Sequence, residues 1–375
     1  MKKIILLGPV YPYKGGISHY TSLLYRALAA KYDVEIISYK MQYPRFLFKK
    51  EQRDYSDDMF KIENVRFLIH TASPVNIIST GRLIKKNKPD LVITQWWHPY
   101  FAPCYWLLMI VLGKRIKKLF ICHNVFPHER FPMDRQLTKM TLKKGDCYIV
   151  QSKQDEEDLK TIIRNPAYVR TVHPTYNTFK VEGISKEQAR ELLGIRPEDK
   201  IMLFFGFVRE YKGLKHLIRA MPVIKEKISN IKLLIVGDFG DNKQSYLDLI
   251  TENNVRDVID IYDGYIPDRE VEKYFAACDL VVLPYESATQ SGIVQIAYGF
   301  EKPVIVTNVG GLPDVVMDAK TGYVVEAGKP EAIAEAVIQY FKEDKEEEFT
   351  QNVRREAYRF SWERIVEKIE DWFNL

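Results

Sequence analysis

"CDLVVLPYESATQSGIVQIAY", residues 278–298, decides how the rest of the chain is read. Its first part is a continuous apolar run of strand length, and its last part has the spacing of a helix. Between them lies a turn of small polar residues: Ser287, Thr289, Gln290, Ser291 and Gly292. A buried strand that feeds a helix through a polar turn is one βα step of a parallel sheet. The same step recurs outward in both directions. "KIMLFFGFV", "IKLLIVGD", "VIDIYDG" and "KPVIVTN" read as strands of the same half, with helical stretches such as "GLKHLIRAMPVIKE" and "DREVEKYFAA" between them. In the other half "KKIILLG", "DVEIISY", "PDLVITQWW", "KLFICHN" and "CYIVQS" repeat the grammar around the helical "SHYTSLLYRALAAKY". The expected architecture is α/β, with two Rossmann-like domains built on parallel sheets.

A length of 375 residues, with 46% hydrophobic and 28% charged, fits two ordinary cores. Apolar density drops and the charge balance changes near "VHPTYNTFKVEGISKEQ", residues 172–188. The expected domains are therefore residues 1–178 and 179–355, followed by an amphipathic helix over 356–375. The N-terminal apolar core, Ile4 to Leu7, is too short for a signal peptide and reads as a first strand. A second apolar stretch, residues 99–118, holds a continuous run from Tyr105 to Leu112. That run is far shorter than a bilayer span and reads as either a buried or a surface-dipping helix. The four cysteines form no C-x-x-C pair, which suits reduced core thiols in a cytoplasmic protein.

Charge is uneven. Residues 1–180 hold 30 Lys/Arg and 15 Asp/Glu, net +15; residues 181–375 hold 25 and 35, net −10; the sum is the +5 of the whole chain. The cations cluster at Lys49–Lys50, Lys85–Lys88, Lys114–Lys118 and Lys143–Lys144. Such a half suits an anionic membrane surface or an anionic acceptor, or is simply a solvated Lys-rich face. No recognised nucleic-acid-binding motif accompanies it.

In open α/β sheets ligands sit at the carboxyl ends of strands, near helix starts that attract anions. After the first strand, Gly15 and Gly16 precede a helix and let the backbone approach a ligand; they do not form G-x-G-x-x-G, so a dinucleotide fingerprint is absent. After "KIMLFFG", Arg209 and Lys212 stand in a turn that Gly213 closes. Two cations there suit a diphosphate, one as a fork and one as a point charge. In the opening turn, Ser291, Gly292 and Ile293 start the helix with unpaired N–H groups. Thr289, Gln290 and Ser291 offer hydroxyl and amide groups for a hydroxylated ligand, or a cap for the helix. His98 and His123 end two strands of the first half, where an imidazole orients a sugar hydroxyl or a phosphate.

As a set, "FFGFVREYKGL", "LLIVGDFG", "IYDGYIPDREVEKYFAACDLVVLPY", "KPVIVTNVGGLPDVV" and "TGYVVEAG" resemble the retaining GT-B glycosyltransferases of family 4, the former group 1. The likeness spans about residues 201–328. It is looser in "KGGISHYTSLLYRAL", "CHNVFPHE" and "VQSKQDEEDL", and returns in "FSWERIVEKI". The resemblance implies two sheets facing across a cleft, an N-terminal acceptor domain, a C-terminal donor domain and a final helix that crosses back. It implies a nucleotide-sugar donor, with Lys212 on the diphosphate lysine and Gly292 and its neighbours on the phosphate loop. Tyr265 and Ile266 fall where the nucleobase packs, Gly15 and Gly16 beside the donor phosphates, and His123 near the active-site histidine. Arg209 lies two residues after the usual arginine position, where Phe207 stands.

One departure is plain. The family often carries two glutamates with seven residues between them around this helix. Here Glu286 is the only glutamate in the turn, Thr289 falls near the first position and Gln295, Ile296 or Ala297 near the second. Thr289 and Gln290 are then expected at the sugar and Gln295 at the ribose.

The implied reaction moves a sugar from a UDP- or GDP-type donor to a hydroxyl of a glycan or lipid-linked acceptor, with retention, at a cytoplasmic membrane face. Arg209, Lys212 and the helix-start amides would offset the leaving-group charge. The chain contains no D-x-D, and neither a metal nor another cofactor is expected. Tyr13, His98 and Tyr100 are expected on the acceptor side. A GT-B epimerase would need a carboxylate acid/base pair that the sequence does not offer. A non-catalytic sugar-binding or partner protein fits the altered glutamates but not the retained phosphate cradle.

Overall fold

A computed structural model of the chain describes residues 2–48, 51–55, 58–127, 130–288 and 290–373. It resolves into two compact units: Met1–Thr171 with Trp362–Leu375, and Val172–Ser361. The first unit thus ends before the compositional seam at 178, and the second continues past 355.

In the first unit the strands are β1 (Lys3–Leu7), β2 (Asp33–Met41), β3 (Arg66–His70), β4 (Leu91–Trp96), β5 (Lys117–Cys122), β6 (Cys147–Val150) and β7 (Tyr168–Arg170). They pair in parallel in the order β3-β2-β1-β4-β5-β6-β7. The second unit holds β8 (Lys200–Phe205), β9 (Ile231–Gly237), β10 (Ile259–Asp263), β11 (Leu280–Leu283), β12 (Val304–Thr307) and β13 (Gly322–Val325). Their order is β10-β9-β8-β11-β12-β13, again parallel throughout. Each unit therefore reverses strand order beside its first strand, at β1/β4 and at β8/β11. Such switch points open a crevice at the strand ends.

Both faces of the first sheet are covered, as the near-continuous apolar strands require. On one face the helices Pro74–Lys86, Ala102–Leu112 and Asp134–Leu142 bury Ile77, Ile84, Leu108, Leu112 and Leu142 around Trp96 and Phe120. On the other, helix Gly16–Ala29 buries Tyr20, Leu24 and Leu28 together with Ile365, Val366 and Ile369 of the last helix, Trp362–Phe373. Glu370 of that helix accepts from Tyr32 at 2.7 Å and pairs with Lys31 at 3.0 Å. The four cysteines are buried and free.

In the second unit Asp279 fastens the two switch-point strands. Its backbone N–H donates to Ile201 at 2.9 Å, and its carboxylate accepts from the Ile201 N–H at 2.6 Å. The same carboxylate accepts from the buried Arg190 guanidinium at 2.9 Å and pairs with Lys186 at 2.5 Å. Asp279→Ala would leave Arg190 buried without its counter-charge. The expected loss is about 3–5 kcal/mol in urea unfolding. Asp257→Ala, which removes only an exposed pair with Lys225, is expected to lose under about 1 kcal/mol in the same assay.

Candidate functional site

The second unit's switch point is built from three segments that converge on Gly206. The chain leaves β8 there with φ of 101°, a conformation that glycine adopts without strain. A Cβ at this position would lie 3.1 Å from Lys212 Nζ and 3.5 Å from Ile293 Cδ1. The strand end, the short turn Glu210–Lys212 and the start of helix Gly292–Gly299 are thus brought to one corner.

Lys212 is the unusual group of that corner. Burial, and then the charge of Arg209, push its ammonium down to a pKa of about 8. Among the described residues its ammonium has neither a hydrogen bond nor a carboxylate partner; the Tyr285 ring centroid lies 5.8 Å from Nζ. A desolvated cation without a counter-ion is costly, and it favours an anion that arrives from outside. Arg209 is exposed. Its Nη1 donates to the Val208 carbonyl at 3.2 Å and its guanidinium lies 5.5 Å from the Phe207 ring.

The Lys212 turn is fixed by its contact with the end of β11. Gly213 has φ of 64°, and a Cβ on it would stand 1.9 Å from the Pro284 carbonyl oxygen. The Glu286 N–H donates to the Tyr211 carbonyl at 2.7 Å. The Glu286 carboxylate meets Lys215 Nζ at 2.9 Å and His216 Nε2 at 2.6 Å, and the Lys215 bond is the main cause of its lowered pKa. Glu286 is therefore engaged in holding two turns together.

Of the polar turn, Thr289 lies outside the described residues. Gln290 is half-buried, and Ser291 is buried with its Oγ 3.4 Å from the Tyr285 hydroxyl. Ser291 precedes the helix but makes no side-chain capping bond, so the first N–H groups, those of Gly292 and Ile293, are not satisfied by it. Gln295 is fully buried and neither atom of its side-chain amide has a partner among the described residues. Tyr265, 42% exposed, and the half-buried Ile266 follow β10 after Gly264.

In the first unit, Gly15 has φ of 105°, and among the described residues nothing outside the adjoining chain lies within 4 Å of a Cβ built on Gly15 or Gly16. His123, at the end of β5, is 7% exposed. Its Nε2 donates to Gln95 Oε1 at 2.7 Å, and its ring meets the Tyr20 ring edge-on at 4.6 Å. Gln95 was not singled out from the sequence, although a buried amide interrupting the apolar run of β4 is a visible signal. Gly8 makes room for it, since a Cβ there would lie 2.7 Å from Gln95 Cγ.

His98 and Tyr100 come together in the turn after β4. His98 Nδ1 accepts from the Tyr100 N–H at 3.0 Å, and burial lowers the imidazole's pKa. The Tyr100 hydroxyl pairs with Thr71 at 2.9 Å. Tyr13, expected on the acceptor side, is instead a core residue at 4% exposure. Its hydroxyl donates to the Tyr39 carbonyl at 2.8 Å and accepts from Arg53 at 3.0 Å, which uses its bonding capacity within the fold.

Comparison with known proteins identifies the family and the fold. The family model described as "Glycosyl transferases group 1" matches residues 185–360, and that described as "Glycosyltransferase Family 4" matches residues 14–178. An uncharacterized glycosyltransferase of Methanocaldococcus jannaschii is 29% identical over 239 residues, 61% of this chain and 60% of that protein. A D-inositol 3-phosphate glycosyltransferase of Corynebacterium diphtheriae is 26% identical over 236 residues, 60% of this chain and 55% of that protein. The chain thus spans less than two thirds of the length of these relatives. Among solved structures, Anabaena HepE in complex with UDP and glucose matches with a TM-score of 0.77 at 15% identity, covering 100% of both chains, a likeness of fold. Both units are Rossmann-like and the fold is of the GT-B class.

The contact at residue 213 is open to test. Gly213→Ala is expected to lose at least about 2 kcal/mol, because the left-handed penalty adds to a backbone clash. Gly194→Ala has φ of 65° but nothing within 4 Å of its Cβ, and should lose only about 1 kcal/mol. Equal losses in chemical denaturation would refute the role given to the Pro284 contact.

Proposed function

Because the chain belongs to the group 1 glycosyltransferases, we propose that it moves a hexose from a nucleoside-diphosphate sugar to an acceptor hydroxyl with retention. The donor is of UDP or GDP type, and the acceptor is a glycan or lipid-linked sugar in cell-surface polysaccharide or glycolipid assembly. The observation that carries this reading is the desolvated, carboxylate-free ammonium of Lys212 beside the start of helix Gly292–Gly299. The Anabaena neighbour's complex with UDP supports uridine among the candidates.

In the proposed reaction the bond from the sugar C1 to the diphosphate oxygen breaks, and both electrons leave with that oxygen. The acceptor oxygen bonds to C1 on the same face. Its proton passes to the departing diphosphate oxygen, so no protein nucleophile is required. The negative charge that grows on the diphosphate is opposed by Lys212, by the first N–H groups of the helix and by Arg209. This supply of positive charge is why we propose a route without metal. Gln295 would give its unpartnered amide to the ribose, and Tyr265 with Ile266 would pack the nucleobase. Thr289 and Gln290 are assigned to the sugar. In the first unit the open backbone at Gly15 and Gly16 suits close approach of a phosphate. His123, held by Gln95, is assigned to a sugar hydroxyl, and His98 with Tyr100 to the acceptor.

Calorimetry with UDP, GDP, ADP and TDP in the presence of a chelator tests the cradle. One nucleotide is expected to bind, and Lys212→Ala is expected to weaken it by about 10- to 100-fold, the worth of a charged hydrogen bond. No binding to any of the four would point to a non-catalytic member of the family.

A pH series gives an independent check. The pKa of Lys212 is depressed in the free protein, and a bound diphosphate favours its charged form. Affinity is then full below about pH 8 and falls as pH rises through that value, by up to tenfold per unit. Binding near pH 9 should take up a proton, and Lys212→Ala should remove both effects. A flat affinity between pH 7 and 9 in the wild type would contradict the assignment.

A further inference from the structure

Helix Ala102–Leu112, "APCYWLLMIVL", is apolar all the way round. One side packs on the sheet through Cys104, Tyr105, Leu108, Met109 and Leu112, all buried. The other side carries Pro103, Trp106, Leu107 and Ile110, the i, i+3, i+4, i+7 stripe of one helix face. Pro103 is exposed, Trp106 and Leu107 are half-buried, and Ile110 is 44% exposed. A soluble helix ordinarily turns a polar face outward, and this one does not.

The helices on either side supply charge of one sign. Gly81 brings helix Pro74–Lys86 against the apolar helix: a Cβ there would lie 2.8 Å from Val111 Cγ1. That neighbour exposes Arg82, Lys85 and Lys86, and Lys85 Nζ reaches the Val111 carbonyl at 3.3 Å. On the other flank Thr141 Oγ1 donates to the Ala102 carbonyl at 3.0 Å, which ties helix Asp134–Leu142 to the start of the apolar helix. That flank exposes Lys139 and Lys143. None of these five cations is paired with a carboxylate among the described residues. The three helices contain one carboxylate, Asp134, which is 4% exposed and bound to Arg130.

We propose that this three-helix face of the first unit docks on the headgroup layer of an anionic lipid bilayer. The apolar stripe enters the interface and the flanking cations meet lipid phosphates. Trp106 is the residue type that settles at that depth, with an apolar ring and a polar N–H. The helix has 11 residues, about 16 Å at 1.5 Å per residue. It therefore lies on the bilayer, and among the described residues no helix is long and apolar enough to cross one. A second copy of the chain is a poorer occupant. A two-fold contact through this face would bring the same unpaired cations together.

The proposal stands on first-unit residues alone, so vesicle binding and nucleotide binding fail separately. The test is co-sedimentation of the full chain with vesicles of phosphatidylcholine alone or mixed with phosphatidylglycerol. Binding is expected to the mixed vesicles at low salt, to weaken at high salt, and to be slight on phosphatidylcholine alone. Ile110→Asp, and separately Arg82→Glu with Lys85→Glu, should each lower partitioning at least about tenfold. Both variants should keep the wild-type circular dichroism and nucleotide affinity. The proposal is overturned if the wild type ignores the mixed vesicles, or if both variants bind as the wild type does. It is also overturned if sedimentation velocity shows a dimer that Ile110→Asp abolishes, which would make the face a contact between copies.

Discussion

The carbonyl of Pro284 stands where a side chain on residue 213 would have to be. Everything at the second unit's switch point follows from that contact between backbones. It lets the turn after β8 rest against the end of β11, close enough for the Glu286 N–H to reach the Tyr211 carbonyl. It places Lys212 Nζ 5.8 Å from the Tyr285 ring and at the Gly206 corner that Ile293 of the next helix also approaches. Glu286, tied to Lys215 and His216, then closes the same joint from the side-chain direction. Asp279 fixes the opposite ends of the same two strands. Both ends of one strand pair are pinned, and a cradle formed in advance loses little freedom when it takes a ligand.

Comparison with other cations of the unit sets Lys212 apart. Arg190 is buried, but Asp279 and two carbonyls satisfy it. Lys302 is also desolvated, and its ammonium donates to the carbonyls of Ala276 and Cys278. Those two cations stabilise the fold that surrounds them. Lys212 has no such return from the protein, and burial pulls down its pKa without a compensating bond. A group left in that condition is a candidate site for an anion from outside the protein.

Local signals were legible and pairwise ones were not. Parallel sheets showed in the apolar runs, and the Lys212 turn showed in its glycine and its cations, because both are written within a few residues. Gln95 and His123 are 28 positions apart, and Glu286 and His216 are 70 apart. No short window connects such partners. The burial of Tyr13 is hidden for the same reason: nothing nearby announces that Arg53, 40 positions on, will donate to its hydroxyl. Apolar density falls off only after the first unit has ended at Thr171. Thr175 and Tyr176 are in fact bonded into the second unit, to the carbonyls of Phe360 and Gln295. The apolar run Tyr105–Leu112 left two readings open, buried or surface-dipping. Each describes one side of the same helix.

Charge is distributed in a way that separates these two surfaces physically. The half of the chain that holds the Lys212 cradle carries net −10, from 25 cations and 35 carboxylates. Its overall field would repel a nucleoside diphosphate. Attraction there must act within a few ångströms, through one desolvated ammonium and a helix start, where screening by salt is weak. The half with the apolar helix carries net +15 on a surface that stays in contact with solvent. That field reaches about a Debye length, roughly 8 Å at physiological salt, and it weakens as salt is added. A short-range cradle selects a ligand by geometry, whereas a long-range field of one sign selects an extended charged plane. The sequence divides the two kinds of electrostatics between its halves, and each half has the one suited to its proposed partner.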